Sequence, residues 1–325
     1  MPAGAFRCKS FGGAGWHLAE NPTTPAMTSK IAGVFVGAFL WSTGVAAQIS
    51  EGGKWAVEAY TTYGFMEPNL TYATVNGTDL KLDVYRPKSK TPKPRATLVF
   101  IHGGGWQRGS KESYLLRVLP WLEKGWNVVN VEFRQAGVAK APAAVEDCPC
   151  AVRWVIDNAE KYNFDKTKIV VSGQSSGGHL ALMTGLAAPQ ALFDKNCAGT
   201  PVKVAAVVNW FGFVEVAELL AGPFKNDFAL EWIGKDRLGQ ADFVKLVSPI
   251  TYVSKSSPPV VTVHGNADPT HPYAQAVRLH QALDKANVAN KLVTVEKGGP
   301  GDFSTDDSIK AYEAIFAFLK ASGID

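Results

Sequence analysis

Residues 170 to 180, Val170-Val171-Ser172-Gly173-Gln174-Ser175-Ser176-Gly177-Gly178-His179-Leu180, decide how the rest of this chain is read. A β-branched run enters Gly-x-Ser-x-Gly, and the residues that follow, Gly177 to Ala188, have the composition of a helix. A strand that turns sharply into a helix at a serine holds that serine in a strained backbone with its hydroxyl exposed, and Gly173 and Gly177 leave room for the turn. The first helical turn aims backbone N–H groups and the positive helix end at the same point, which suits a developing oxyanion. As a bare string the motif arises by chance in many proteins; between a strand and a helix it marks Ser175 as a candidate nucleophile.

Outward from this point, short β-branched runs alternate with helical stretches, the pattern of an α/β sheet. The strands are read at Thr71–Val75, Leu80–Tyr85, Ala96–Ile101, Asn127–Glu132, Lys168–Ser172, Val204–Trp210, Val260–His264 and Lys291–Val295. The first two alternate in polarity around Asn76-Gly77 and predict an antiparallel hairpin at the sheet edge. Later runs such as Val260-Val261-Thr262-Val263 are almost wholly apolar, as a parallel sheet covered on both faces requires. Helices are read at Tyr114–Lys124, Pro142–Tyr162, Gly177–Ala188, Pro272–Ala286 and Ser308–Leu319. Residues 211–257 break the alternation with Phe211, Phe213, Phe224, Phe228, Trp232, Phe243 and Tyr252, and read either as a small inserted cap or as ordinary helices on the sheet face.

Two further strings stand at strand ends. Ile101-His102-Gly103-Gly104-Gly105-Trp106 lets the backbone approach a ligand closely and turn N–H groups toward it. It lacks the Gly-Lys-Ser/Thr ending of a phosphate loop and the spacing of a dinucleotide fingerprint, so no cofactor is expected. His102, placed before the glycines, reads as an orienting histidine under the loop, and His179 as a residue packed against the sheet. Val263-His264-Gly265-Asn266-Ala267-Asp268-Pro269 puts Asp268 after Ser175 in the chain order that a Ser–Asp–His arrangement needs.

The composition, 46% hydrophobic and 19% charged over 325 residues, excludes disordered and fibrous classes. A net charge of +4 is too small and too evenly spread for a nucleic-acid surface. Ile31 to Val45 carries no charge, follows Met27-Thr28-Ser29-Lys30 and ends at Val45-Ala46-Ala47. It is shorter than the roughly 20 apolar residues of a membrane span, and reads as a signal peptide over residues 27–47, cleaved after Ala47. The expected product is secreted or periplasmic with no stable membrane span, residues 1–47 being extension and signal, 48–70 a linker and 71–325 one domain. Cys148, Cys150 and Cys197 would then sit in an oxidising compartment, where Cys197 pairs plausibly with either of the other two. No His or Cys cluster accompanies Cys148-Pro149-Cys150 to suggest a metal.

From Thr71 to Leu319 the chain resembles the α/β-hydrolase superfamily, especially secreted bacterial carboxylesterases of the His-Gly-Gly-x-Trp type, related to hormone-sensitive-lipase-like and acetylxylan or feruloyl esterases. His102 to Trp106, Gly173 to Gly178, Pro142 to Asp147 and His264 to Asp268 carry the likeness. It implies a mostly parallel eight-stranded sheet with helices on both faces. It further implies Ser175 as nucleophile, Asp268 as triad acid, Gly104, Gly105 and Ser176 as oxyanion donors, and a small ester of acyl or aryl type as substrate.

One departure stands out. Such proteins carry the triad histidine after the last strand in Gly-Gly-His-Gly-x-Phe, whereas this chain reads Gly298-Gly299-Pro300-Gly301-Asp302-Phe303. Proline accepts no proton, so the sequence favours an esterase of impaired activity. His271 is the best substitute base, although a plain loop role is favoured for it because it would have to turn toward Ser175 while Asp268 supports it. Asp302 reads as a solvated loop acid. The alternatives are a catalytically silent binding protein of the same fold, an arylformamidase or a peptidase.

Overall fold

The computed structural model describes residues 51–62, 65–88, 93–187, 193, 195–197, 199 and 202–325. The proposed signal peptide lies outside the described residues. Eight strands form one sheet in the order β1-β2-β4-β3-β5-β6-β7-β8. They are β1 (Phe65–Val75), β2 (Thr78–Arg86), β3 (Arg95–Ile101), β4 (Asn127–Val131), β5 (Phe164–Gln174), β6 (Ala206–Trp210), β7 (Val260–Gly265) and β8 (Asn290–Val295). The pair β1–β2 is antiparallel around Asn76-Gly77, and β2 is antiparallel to β4. Every pairing from β4 through β8 is parallel.

All eight strands read from the sequence are present, and the reason is visible in burial. Side chains alternate across a strand, so Val99 and Ile101 join one core while Leu98 and Phe100 join the other. The first core is closed by α3 (Ala143–Asp157), α5 (Ser176–Leu186) and α8 (Tyr273–Lys285). The second is closed by α2 (Leu115–Glu123) and α9 (Thr305–Ala321). Every residue of α5 is buried, which is why its sequence shows no polar face. A short helix, α4 (Ala159–Tyr162), leads into β5.

One reading needs correction. The stretch taken as a linker is largely regular: Glu51–Thr62 forms helix α1 and β1 begins at Phe65. Gly52 and Gly53 obscured the helix, and Glu67-Pro68-Asn69 obscured the strand. Proline is tolerated on an edge strand, and the register shift between Glu67 and Leu70 marks an irregularity that accommodates it. The Cys-Pro-Cys string, in turn, lies within α3, where Cys150 bonds to Cys197 and Cys148 remains a buried thiol.

The interval 211–257 consists of short helices, including α6 (Asp227–Ile233) and α7 (Ala241–Leu246). Asn226 caps α6 by accepting the Ala229 N–H at 3.0 Å. Phe213, Val216, Trp232 and Val247 are fully buried in the same core as α3 and α5, so this insertion is continuous with the sheet's own packing. Gln275 of α8 fixes it from below: its Oε1 accepts the N–H groups of Val214 and Glu215 at 2.7 and 3.0 Å.

Candidate active site

Ser175 stands between β5 and α5 with φ 54° and ψ −120°, a conformation that costs a non-glycine residue of order 1–3 kcal/mol. The turn is as tight as its glycines suggested. A Cβ on Gly173 would come within 2.3 Å of the Gly177 carbonyl oxygen, and one on Gly177 within 2.2 Å of the Ile101 oxygen. Backbone of the elbow therefore rests directly on the end of β3, beside the glycine loop.

His271 completes the arrangement. Ser175 Oγ lies 2.8 Å from His271 Nε2, and His271 Nδ1 lies 3.0 Å from Asp268 Oδ2. The expectation that His271 is a plain loop residue is thus corrected, and the physical cause is local. Asp268 Oδ1 accepts the N–H groups of Thr270 and His271, each at 2.8 Å, curling Asp268-Pro269-Thr270-His271 into an Asx turn. Three residues are then enough for the imidazole to swing back over Oδ2. Burial raises the Asp268 carboxyl, but hydrogen bonds from the His271 ring and the two amides outweigh it and hold its pKa below the ordinary value.

Three residues that sequence reasoning missed hold this ring. Phe213 stacks on it with centroids 4.5 Å apart, and Phe211 meets it edge-on at 5.3 Å. His264 Nε2–H donates to the His271 carbonyl at 3.1 Å, and burial keeps His264 neutral by lowering its pKa. The aromatic pair directly after β6 and the histidine closing β7 were the available signals, each at the carboxyl end of a parallel strand, where sites gather in open α/β sheets.

Gly104 and Gly105 have φ of +119° and +64°, backbone open to glycine, and among the described residues their N–H groups donate to no protein acceptor. Ser176 opens α5, so its N–H lacks an intrahelical acceptor. Below the loop, His102 bridges the Gly103 carbonyl through Nδ1 at 2.8 Å and Glu132 Oε1 through Nε2 at 3.1 Å, in keeping with an orienting role. His179 is placed differently from the expectation. It accepts from Trp106 Nε1–H at 3.3 Å, donates to the Val247 carbonyl at 2.8 Å and meets the Trp232 ring edge, tying loop to insertion instead of packing on the sheet. Burial lowers its pKa to about 4.

Ser175, His271, Gly104 and Gly105 line an open cavity of about 900 Å³, walled further by Tyr114 and Phe228. Pro300 and Gly301 also border it, so the loop after β8 reaches the cavity but brings no titratable group at that position. Asp302 is exposed, as read.

Comparison with known proteins finds esterases by sequence and by fold. The family model BD-FAE matches residues 82–283, more than half of the chain, and the model described as TAP-like protein matches residues 244–324. The chain is 31% identical to the esterase LipC of Mycobacterium tuberculosis over 201 residues, 60% of this chain and 50% of LipC. It is 29% identical to ethyl acetate hydrolase of Pseudomonas putida, covering 74% of this chain and 76% of that protein. Against LipC and the related esterase LipQ it spans about half of their length. Among solved structures, a truncated carbohydrate esterase from gut microbiota superposes with a TM-score of 0.66 at 29% identity, covering 81% of this chain and 98% of that one. Esterase Est2 of Thermogutta terrifontis with propionate bound gives 0.68 at 28% identity, covering 79% and 94%. By its matched family model, with a sheet to suit, the chain belongs to the BD-FAE family of α/β-hydrolases.

Proposed function

We propose that the protein is a serine carboxylic ester hydrolase acting on small acyl or aryl esters, with His271 as its base. The observation that carries this reading is the continuous line Ser175 Oγ–H to His271 Nε2 and His271 Nδ1–H to Asp268 Oδ2, at 2.8 and 3.0 Å. Ser175 Oγ attacks the ester carbonyl carbon while its proton passes to Nε2. The imidazolium so formed is stabilised by the Asp268 carboxylate, which its hydrogen bonds keep ionised. The carbonyl oxygen, now negative, accepts N–H groups of Gly104, Gly105 and Ser176. Collapse breaks the bond to the alcohol oxygen, which leaves with the proton from Nε2. Water then attacks the acyl-Ser175 carbonyl carbon as its proton passes to Nε2, and the bond from that carbon to Ser175 Oγ breaks as Nε2 returns the proton to Oγ, releasing the acid. The match to esterases by sequence and fold supports the reaction class.

Export is part of the same proposal. The uncharged run Ile31 to Val45 before Val45-Ala46-Ala47 supports it, as does the Cys150–Cys197 disulfide, a bond that persists in oxidising compartments. Hydrolysis of p-nitrophenyl acetate tests the activity. The native protein turns it over, and Ser175→Ala lowers kcat by about 10⁴-fold or more. A native rate equal to that of Ser175→Ala overturns the reading in favour of a silent binding protein.

A further inference from the structure

We infer that the ester taken by this site carries an anionic, oxygen-rich group, held by Arg108, Arg117 and the side-chain amide of Gln174. The inference rests on the ester-hydrolase reading and names the substrate class of the same cavity. All three residues line it. Arg117 is half-buried and Arg108 exposed, and among the described residues neither guanidinium has an ion-pair or hydrogen-bond partner, whereas the buried Lys111 and Arg134 are matched by Asp83 and Asp147. Gln174 is 4% exposed, and its Nε2 has no acceptor. A buried amide N–H₂ without a partner is costly, and a ligand oxygen could accept from such a donor.

The three residues border the glycine loop and the start of α2. A Cβ on Gly103 would meet the Gln174 carbonyl oxygen at 2.8 Å and the Tyr114 hydroxyl at 2.9 Å, so Gln174 and Tyr114 adjoin across the glycine loop. A Cβ on Gly104 would meet Arg108 Cγ at 3.3 Å, and Arg117 follows Tyr114 by one turn at the start of α2. Burial raises the Tyr114 phenol, and the positive charges of Arg117 and Arg108 oppose that rise. Asp227 is the single acid on the cavity lining, so two fixed positive charges face one negative. Planar guanidiniums bind carboxylates through two parallel N–H donors, and a carboxylate arm would answer the Gln174 donor as well.

Two pairs of substrates differing by one charge test this. In 4-acetoxybenzoate and 4-acetoxybenzamide the charge sits on the alcohol side; in monoethyl glutarate and ethyl glutaramate it sits on the acyl side. At low ionic strength the native protein prefers the anion of at least one pair by about tenfold in kcat/KM, and the preference shrinks as salt rises to about 0.5 M. The double variant Arg108→Gln, Arg117→Gln loses the preference, and the double Lys variant retains part of it. Equal kcat/KM for both members of both pairs in the native protein, or a preference that survives the double Gln variant, overturns the inference. If the native protein hydrolyses none of the four esters faster than Ser175→Ala, the ester-hydrolase reading fails, and the inference with it.

Discussion

The contact between His271 and Ser175 depends on what Asp268 does twice over. One of its carboxylate oxygens folds the backbone through the Thr270 and His271 amides, and the other receives the ring that this fold delivers. Phe211 and Phe213 then fix the plane of the ring. On this geometry, His271→Ala lowers kcat for p-nitrophenyl acetate by about 10⁴- to 10⁶-fold, as loss of the base does in a triad that acts as a unit. Pro300→His changes the native rate by less than about tenfold, because Asp268 is already engaged and no carboxylate is left to hold a second imidazole. A rise of several orders of magnitude on Pro300→His, with His271→Ala silent, would show that the loop after β8 is where the base belongs. The sequence held every residue of this set except a reason to join them: an Asx turn is a hydrogen-bonding choice that Asp-Pro-Thr-His permits without imposing.

At the level of elements, the glycine loop after β3 is held at both ends by one side chain. Glu132, directly after β4, receives the His102 ring at Oε1 and the Lys111 N–H at Oε2, 3.0 Å away. Its backbone carbonyl meanwhile accepts from Tyr72 on the edge strand β1 at 2.7 Å. Glu132 is a positioning residue on this evidence, since it touches the frame of the loop and not the reacting atoms. Glu132→Gln keeps one acceptor and turns its amide N–H₂ toward the other donor. It should lower kcat about tenfold with KM nearly unchanged, whereas a merely structural role would leave kcat intact and lower Tm alone. Steady-state kinetics beside a melting curve separate the two. Strand positions were legible because β-branched runs with buried alternation have few other ways to fold; α1 was not, because a helix with two glycines in its first turn and exposed side chains from Lys54 to Glu58 carries little periodic signal.

For the whole molecule, the histidine that links loop and insertion makes stability depend on pH. In the unfolded chain an imidazole takes a proton below about 6.5; His179 in its buried place resists until about 4. Between those values the unfolded state binds more protons, so stability is full above pH 6.5 and declines as pH falls toward 4, by about 3 kcal/mol in all from this group. The depressed pKa of Asp268 adds a loss in the same direction below the ordinary aspartate range. Thermal denaturation followed from pH 7 to pH 4 should therefore show a falling Tm, and His179→Gln should flatten the fall, since glutamine can serve Trp106 and Val247 without titrating. A slope unchanged by that substitution would place the pH dependence elsewhere.

By itself the sequence determined the sheet, its two covered faces, the elbow at Ser175 and the glycine loop beside it, because these follow from patterns of neighbours: alternation, β-branching and glycines at a turn. The same is true of Asp268 at a strand end. Only the tertiary structure decided which histidine meets Ser175, which cysteine pairs with Cys197, and that His179 serves the insertion and not the sheet. Each of those depends on groups distant in the chain brought within hydrogen-bond or bond length, and composition or spacing along one chain carries no measure of that distance.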